Sequence, residues 1–166
     1  TKVDANYPDH HLSVAEFEVY QNGELVGQME ELADGVYKMD NLPYGDYSLK
    51  ETKAPTGFVL DENVYAVSVE ENGKTYTVEN KAGVGFINAA QKGSLKIVKT
   101  SSDGKVEGFS FRVTGGYYDQ TFKTDKSGEI VIAGLRIWYY TVSEVSDKAS
   151  AGYILPADKQ STVKAD

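Results

Sequence analysis

A lysine, a glutamate and an asparagine that meet in an apolar interior can join two strands covalently, and this chain offers all three. Lys2 stands in the first extended segment. Glu51 ends the alternating run DYSLKE (46–51), and Asn88 lies in the short run GVGFINAA (83–90). The first and last strands of a sandwich can lie side by side. Burial disfavours charge, so it lowers the lysine pKa and raises that of the glutamate. A neutral amine is a nucleophile. A neutral carboxylic acid can donate a hydrogen bond to the asparagine carbonyl oxygen and polarise it. The amine attacks the carboxamide carbon, Glu51 moves the protons and ammonia leaves. The product is an amide between Lys2 and Asn88. The reaction needs no cofactor and happens once per molecule, with folding supplying the proximity. Each residue also has an ordinary reading. A lysine in a first strand is commonly solvated, an asparagine commonly flanks a turn, and one face of an alternating strand can meet solvent.

The glutamate occurs twice. YSLKETKAPTGF (47–58) and YTVSEVSDKASAGY (140–153) place Glu51 and Glu144 93 positions apart. The same offset relates Gly35 to Gly128, Leu42 to Leu135 and Tyr47 to Tyr140. A chain of 166 residues repeating at that interval is expected to hold two copies of one small domain, at 1–90 and 91–166. Domains of this size are marginal without a staple. The chain contains no cysteine, so a disulfide cannot serve. Its two histidines, His10 and His11, are adjacent in a polar segment. Adjacent side chains of an extended segment point opposite ways, which disfavours joint metal binding.

The elements that must position these residues are strands. Hydrophobic residues recur with period two, and no segment shows a helical period. AEFEVYQNGELVGQ (15–28) predicts a hairpin turning at Asn22-Gly23. GVYKMDNL (35–42) alternates around Val36 and Met39, and DYSLKE puts Tyr47, Leu49 and Glu51 on one face. VYAVSVEENGKTYTVEN (64–80) predicts a second hairpin at Asn72-Gly73. In the second copy SLKIVKT (94–100), FSFRVTG (109–115), QTFKTD (120–125), GEIVIAGL (128–135), YTVSE (140–144) and QSTVKAD (160–166) read as strands. The expectation is an all-β chain of two tandem β-sandwiches. After Glu144 the sequence offers no equivalent of GVGFINAA, so the second sandwich is expected to lack its last strand. Trp138 stands where the first copy has the turn glycine Gly45.

GVYKMDNLPYGDYSLKETKAPTGF (35–58) resembles the signature of the Cna B-type domain, also found in the SpaA-like pilins of Gram-positive bacteria. The pattern runs from Gly35 through Tyr37, Leu42, Gly45, Tyr47 and Leu49 to Glu51, then Ala54-Pro55 and Gly57-Phe58. The second copy keeps Gly128, Leu135, Tyr140, Glu144 and Gly152-Tyr153 but lacks the turn glycine and the Ala-Pro pair. The resemblance implies immunoglobulin-like sandwiches with a self-formed Lys–Asn isopeptide bond. Lys2 would be the nucleophile, Glu51 the acid/base and Asn88 the electrophile. In the second copy the matching residues are Lys99 and Glu144, with Lys96 a weaker candidate nucleophile. No acceptor follows at the expected strand, and the terminal Asp166 belongs to the wrong one. The second copy is therefore expected not to be cross-linked within this sequence, with Lys99 lacking an acceptor: either the domain is truncated, or its last strand lies outside this sequence or comes from another chain, and an open edge would invite a strand from a partner.

Composition narrows the function classes. With a net charge of −8 and no basic stripe, nucleic acid is a poor partner. No apolar run is long enough to span a membrane. No Ser-His-Asp set, cysteine nucleophile or phosphate loop points to turnover catalysis. Cysteine-free staples suit an extracellular setting. The expected role is a stalk segment of a cell-wall-anchored Gram-positive adhesin or pilin subunit, whose partners are neighbouring domains of the same surface protein. The alternative is a host protein- or glycan-binding module using Tyr117, Tyr118, Trp138 and Tyr139.

Overall fold

A computed structural model describes residues 1–165. The chain divides into two compact units, Thr1–Ala90 and Gln91–Asp166. Among the described residues the regular elements of both are strands.

The first unit contains β1 (Lys2–Asp4), β2 (Glu16–Gln21), β3 (Glu24–Gln28), β4 (Glu30–Ala33), β5 (Val36–Lys38), β6 (Gly45–Lys53), β7 (Val64–Val69) and β8 (Phe86–Asn88). An antiparallel sheet runs in the order β3-β2-β6-β7, β4 pairs with β5, and β1 pairs with β8 in parallel. Phe17 and Val19 of β2 and Tyr47 and Leu49 of β6 share one buried cluster with Phe86 of β8, so β8 faces the four-stranded sheet across a common core. The turn between β2 and β3 has Asn22 at φ 53° and Gly23 at φ 83°, the doubly left-handed geometry that a two-residue hairpin requires.

Two local expectations are corrected. The segment 64–80 does not close as a hairpin: β7 is a strand, but residues 74–79 form no ladder. Only Gly73 of its turn has positive φ, so the geometry found at residues 22–23 is not reached. The Tyr76 hydroxyl instead accepts the N–H groups of Glu70 and Glu71 at 2.9 Å each. In β5, Val36 is exposed while Tyr37 packs on the core with Met39. Asp34 and Gly35 both turn through positive φ, and the β4–β5 register shifts between Glu31 and Ala33. The extra residue is Leu32 on β4, so the shift changes the facing of β4, while Tyr37 is held inward by its edge-to-face contact with Phe17 at 5.0 Å.

The second unit contains β9 (Lys92–Val98), β10 (Ser110–Gly115), β11 (Tyr118–Lys123), β12 (Glu129–Arg136), β13 (Tyr139–Val145) and β14 (Lys159–Thr162). Its sheet β11-β10-β13-β14 repeats the order of β3-β2-β6-β7, and β9 pairs with β12. Leu95 and Ile97 of β9, Ile130 and Ile132 of β12, and Phe111 and Val113 of β10 close one core between the two sheets. The repeat is visible in single bonds. Tyr47 donates its hydroxyl to the Pro43 carbonyl at 2.8 Å, and Tyr140 donates to that of Arg136 at 3.0 Å. Lys2 N–H donates to Gly35 at 2.7 Å, and Lys99 N–H to Gly128 at 2.8 Å. β14 occupies the position of β7. Among the described residues, no strand pairs with β9 on the side away from β12, where β8 lies against β1 in the first unit.

Candidate functional site

Lys2, Glu51 and Asn88 come together inside the first unit. Alternation along β6 buries Tyr47, Leu49 and Glu51 on one face. The parallel register pairs Lys2 with Phe86 and Asp4 with Asn88, so Lys2 and Asn88 sit two residues apart along one ladder. Lys2 is 0% exposed, and Glu51 and Asn88 are each 2% exposed. The Lys2 ammonium donates to Asn88 Oδ1 and lies 3.0 Å from Glu51 Oε1. Asn88 Nδ2 donates to Glu51 Oε1 and Oε2, each at 2.9 Å. The Asp61 backbone N–H donates to Glu51 Oε2 at 2.9 Å.

Aromatic rings dry this site. Lys2 Nζ is 4.5 Å from the Phe86 ring centroid and 5.7 Å from that of Phe17. The two rings meet edge to face at 4.9 Å. Burial pushes the Lys2 pKa below its ordinary value, against the opposing pull of the Glu51 hydrogen bond and of the Glu51 and Asp61 charges. The amine is therefore more easily deprotonated than a surface lysine.

The carboxamide is oriented differently from the sequence-based expectation. Its oxygen faces Lys2 and its nitrogen faces Glu51. Glu51 thus contacts the attacking amine and the leaving nitrogen, rather than the carbonyl oxygen. It can accept a proton from Lys2 Nζ and return one to Asn88 Nδ2. That geometry suits proton shuttling.

In the second unit Lys99 and Glu144 also meet. Lys99 Nζ donates to Glu144 Oε1 at 2.9 Å and Oε2 at 2.8 Å, with the side chains 11% and 1% exposed. Lys99 Nζ lies 4.6 Å from the Phe109 ring. Glu144 pairs across the ladder with Phe111 as Glu51 does with Phe17. Among the described residues no carboxamide joins this pair. Lys96 points outward instead, to Glu129 Oε1 at 2.6 Å on the solvent face. Asp166 lies outside the described residues. Of the four aromatic candidates, Tyr117, Trp138 and Tyr139 are exposed, whereas Tyr118 packs edge to face on the core ring of Tyr140 at 5.9 Å. Sequence patterning did not single out Phe17, Phe86, Asp61 or Asn80. The phenylalanines were legible as core positions; the polar pair follows no period.

The SpaA prealbumin-like fold domain matches the chain twice, over residues 1–82 and 93–166. Among solved structures, the Bacillus anthracis TIE protein is similar over 100% of this chain and 30% of its own, at 26% identity and a TM-score of 0.71. A C-terminal fragment of the pilus adhesin SpaC from Lactobacillus rhamnosus GG is similar over 98% of this chain and 80% of its own, at 17% identity and a TM-score of 0.57. A fuller SpaC chain gives 98% and 26% coverage, 15% identity and a TM-score of 0.60. The two SpaC likenesses show the fold. This chain spans less than a third of the TIE protein and of that fuller SpaC chain. No curated protein matches the sequence significantly.

Proposed function

The chain belongs to the SpaA prealbumin-like fold domain family, and from that premise we propose that it is a stalk segment of an extracellular, cell-wall-anchored Gram-positive adhesin or pilin subunit. Its first unit is stapled by a self-formed isopeptide bond between Lys2 and Asn88. The observation that carries this reading is the buried contact of Lys2, Glu51 and Asn88. Glu51 takes a proton from Lys2 Nζ, and the freed amine attacks Asn88 Cγ. The tetrahedral adduct collapses as Glu51 returns that proton to Nδ2 and takes the second proton from the former Lys2 Nζ, which lies beside its Oε1. The C–Nδ2 bond breaks, ammonia leaves and a secondary amide remains. No group turns over. Peptide mapping after denaturation tests the assignment: the expected product is one branched peptide containing Lys2 and Asn88. Separate linear peptides with an intact Lys2 amine and Asn88 carboxamide would end this reading.

The second unit is proposed to be an open counterpart, because Lys99 and Glu144 are paired without an acceptor among the described residues. The strand that completes it, from the same protein or from a partner, is an extended one added in parallel along β9, with Asn or Asp at the place Asn88 holds relative to Lys2. The chain alone is expected to lose one ammonia, not two. A synthetic peptide of residues 83–90, GVGFINAA, should add to the chain with loss of a second ammonia, and should fail with Lys99→Ala. Two ammonia losses without peptide would refute the open state. Peptide addition to Lys99→Ala would refute Lys99 as the nucleophile.

A binding role has one specific observation in its favour: Tyr117, Trp138 and Tyr139 are exposed, with the last two rings 6.4 Å apart. Trp138 is the sole tryptophan, so its fluorescence reports directly on ligand docking. A candidate host glycan bound by these rings should quench or shift that emission. Unchanged emission on saturable binding would place the contact elsewhere.

A further inference from the structure

The edge of β8 away from β1 is closed by a side chain. Phe86 N–H donates to the Thr1 carbonyl, and Ala5 N–H to that of Asn88, so these groups of β8 face β1. The intervening Ile87 turns its backbone groups the other way, as parallel pairing requires. There the Asn80 carboxamide takes both. Ile87 N–H donates to Asn80 Oδ1 at 2.6 Å, and Asn80 Nδ2 donates to the Ile87 carbonyl at 2.8 Å. The second Nδ2 hydrogen goes to Asp61 Oδ2 at 2.7 Å. Every polar group of the carboxamide is thus engaged, and one amide replaces a neighbouring strand.

Asp61 connects this clamp to the reacting carboxylate. Its side chain also accepts from the Tyr65 hydroxyl at 2.7 Å, from Asn63 N–H at 3.0 Å and from Asn63 Nδ2 at 2.7 Å. Its backbone N–H holds Glu51 Oε2 at 2.9 Å. A continuous path of hydrogen bonds therefore runs from Glu51 through Asp61 and Asn80 to Ile87, the residue beside Asn88. β8 has only three residues, and besides its ladder with β1 and the Val59 N–H bond to the Ala89 carbonyl at 2.8 Å, this path ties it to Glu51 of β6. We propose that Asp61 and Asn80 are positioning residues for the Lys2–Asn88 cross-link, setting the distance between the proton-shuttling carboxylate and the acceptor carboxamide. This inference rests on the cross-link proposed above. Neither residue touches the reacting carbon, and their effect is on how often the three groups are aligned. A misplacement of about 1 Å can cost about a hundredfold in rate.

The test is a pulse-chase in cell-free translation, using the parent chain, Asn80→Ala and Asp61→Ala. At each time the folded fraction is isolated by protease resistance and denatured, and the cross-linked share is read by intact mass. The expected result is that folded Asn80→Ala closes about tenfold or more slowly than the parent, with Asp61→Ala also slowed. A purely structural role would lower the yield of folded chain but leave the closing rate of folded molecules unchanged. Should one variant not fold, the other gives the answer. If both fail to fold, Asn80→Asp decides: it keeps the oxygen that accepts from Ile87 and loses both donors, so slowed closing is again expected. Closing at the parent rate in any folded variant of Asn80 or Asp61 overturns the proposal for that residue and leaves the cross-link standing. A parent chain that never loses ammonia overturns both.

Discussion

Replacing Glu51 with alanine is expected to abolish the loss of one ammonia from the intact chain, an all-or-none change in mass. Among the described residues, Glu51 is the titratable group bonded to both Lys2 Nζ and Asn88 Nδ2, so its loss removes the proton transfers. Lys2→Ala and Asn88→Ala should give the same full-mass outcome, each by removing a bonded atom. The pH dependence of closing has a definite sign. Burial lowers the Lys2 pKa, so raising the pH first frees the amine of the folded chain. Acidification keeps Lys2 as an ammonium, which cannot attack. The closing rate should therefore fall as pH falls. A mass deficit that survives Glu51→Ala would falsify the role of Glu51, and faster closing in acid would contradict the direction of proton transfer.

The second large effect is on stability. The bond joins residues 86 positions apart, closing nearly the whole first unit into one loop. Chain-entropy reasoning assigns such a loop about 4–5 kcal/mol, which for a unit of this size is about 20–30 °C in Tm. Glu51→Gln is the suitable comparison, because it prevents the reaction with little change of volume. In calorimetry the transition of the first unit should drop by that amount while that of the second stays in place. Tension applied between β1 and β8 would meet the covalent bond rather than backbone hydrogen bonds. The residues between Lys2 and Asn88 would then be withheld from extension, a length of about 300 Å at about 3.5 Å per residue. A shift of only a few degrees, or full extension of the parent under load, would show that the bond does not carry the stability or the force.

The alternation of DYSLKE determined that Glu51 shares a face with Tyr47 and Leu49, since period two is a local property of an extended backbone. The 93-residue offset likewise determined that two units repeat one plan, down to the matching hydroxyl bonds of Tyr47 and Tyr140. Asn22-Gly23 announced its turn because both residues tolerate positive φ. Other features depended on contacts between segments distant in sequence. Tyr37 rather than Val36 faces the core, where its ring meets Phe17 edge to face at 5.0 Å and its hydroxyl accepts from the Ala15 N–H at 2.8 Å. Which way the Asn88 carboxamide turns was settled by the competing positions of Lys2 and Glu51 around it. The pairing of Asn80 with Ile87 and Asp61 left no trace in the pattern, because a side chain bonding to backbone obeys no strand period. The sequence by itself therefore determined the strands, the repeat and the three residue types of the candidate staple. Only the tertiary structure decided their orientation and the clamp around them, because hydrogen-bond geometry is fixed by where separate strands meet.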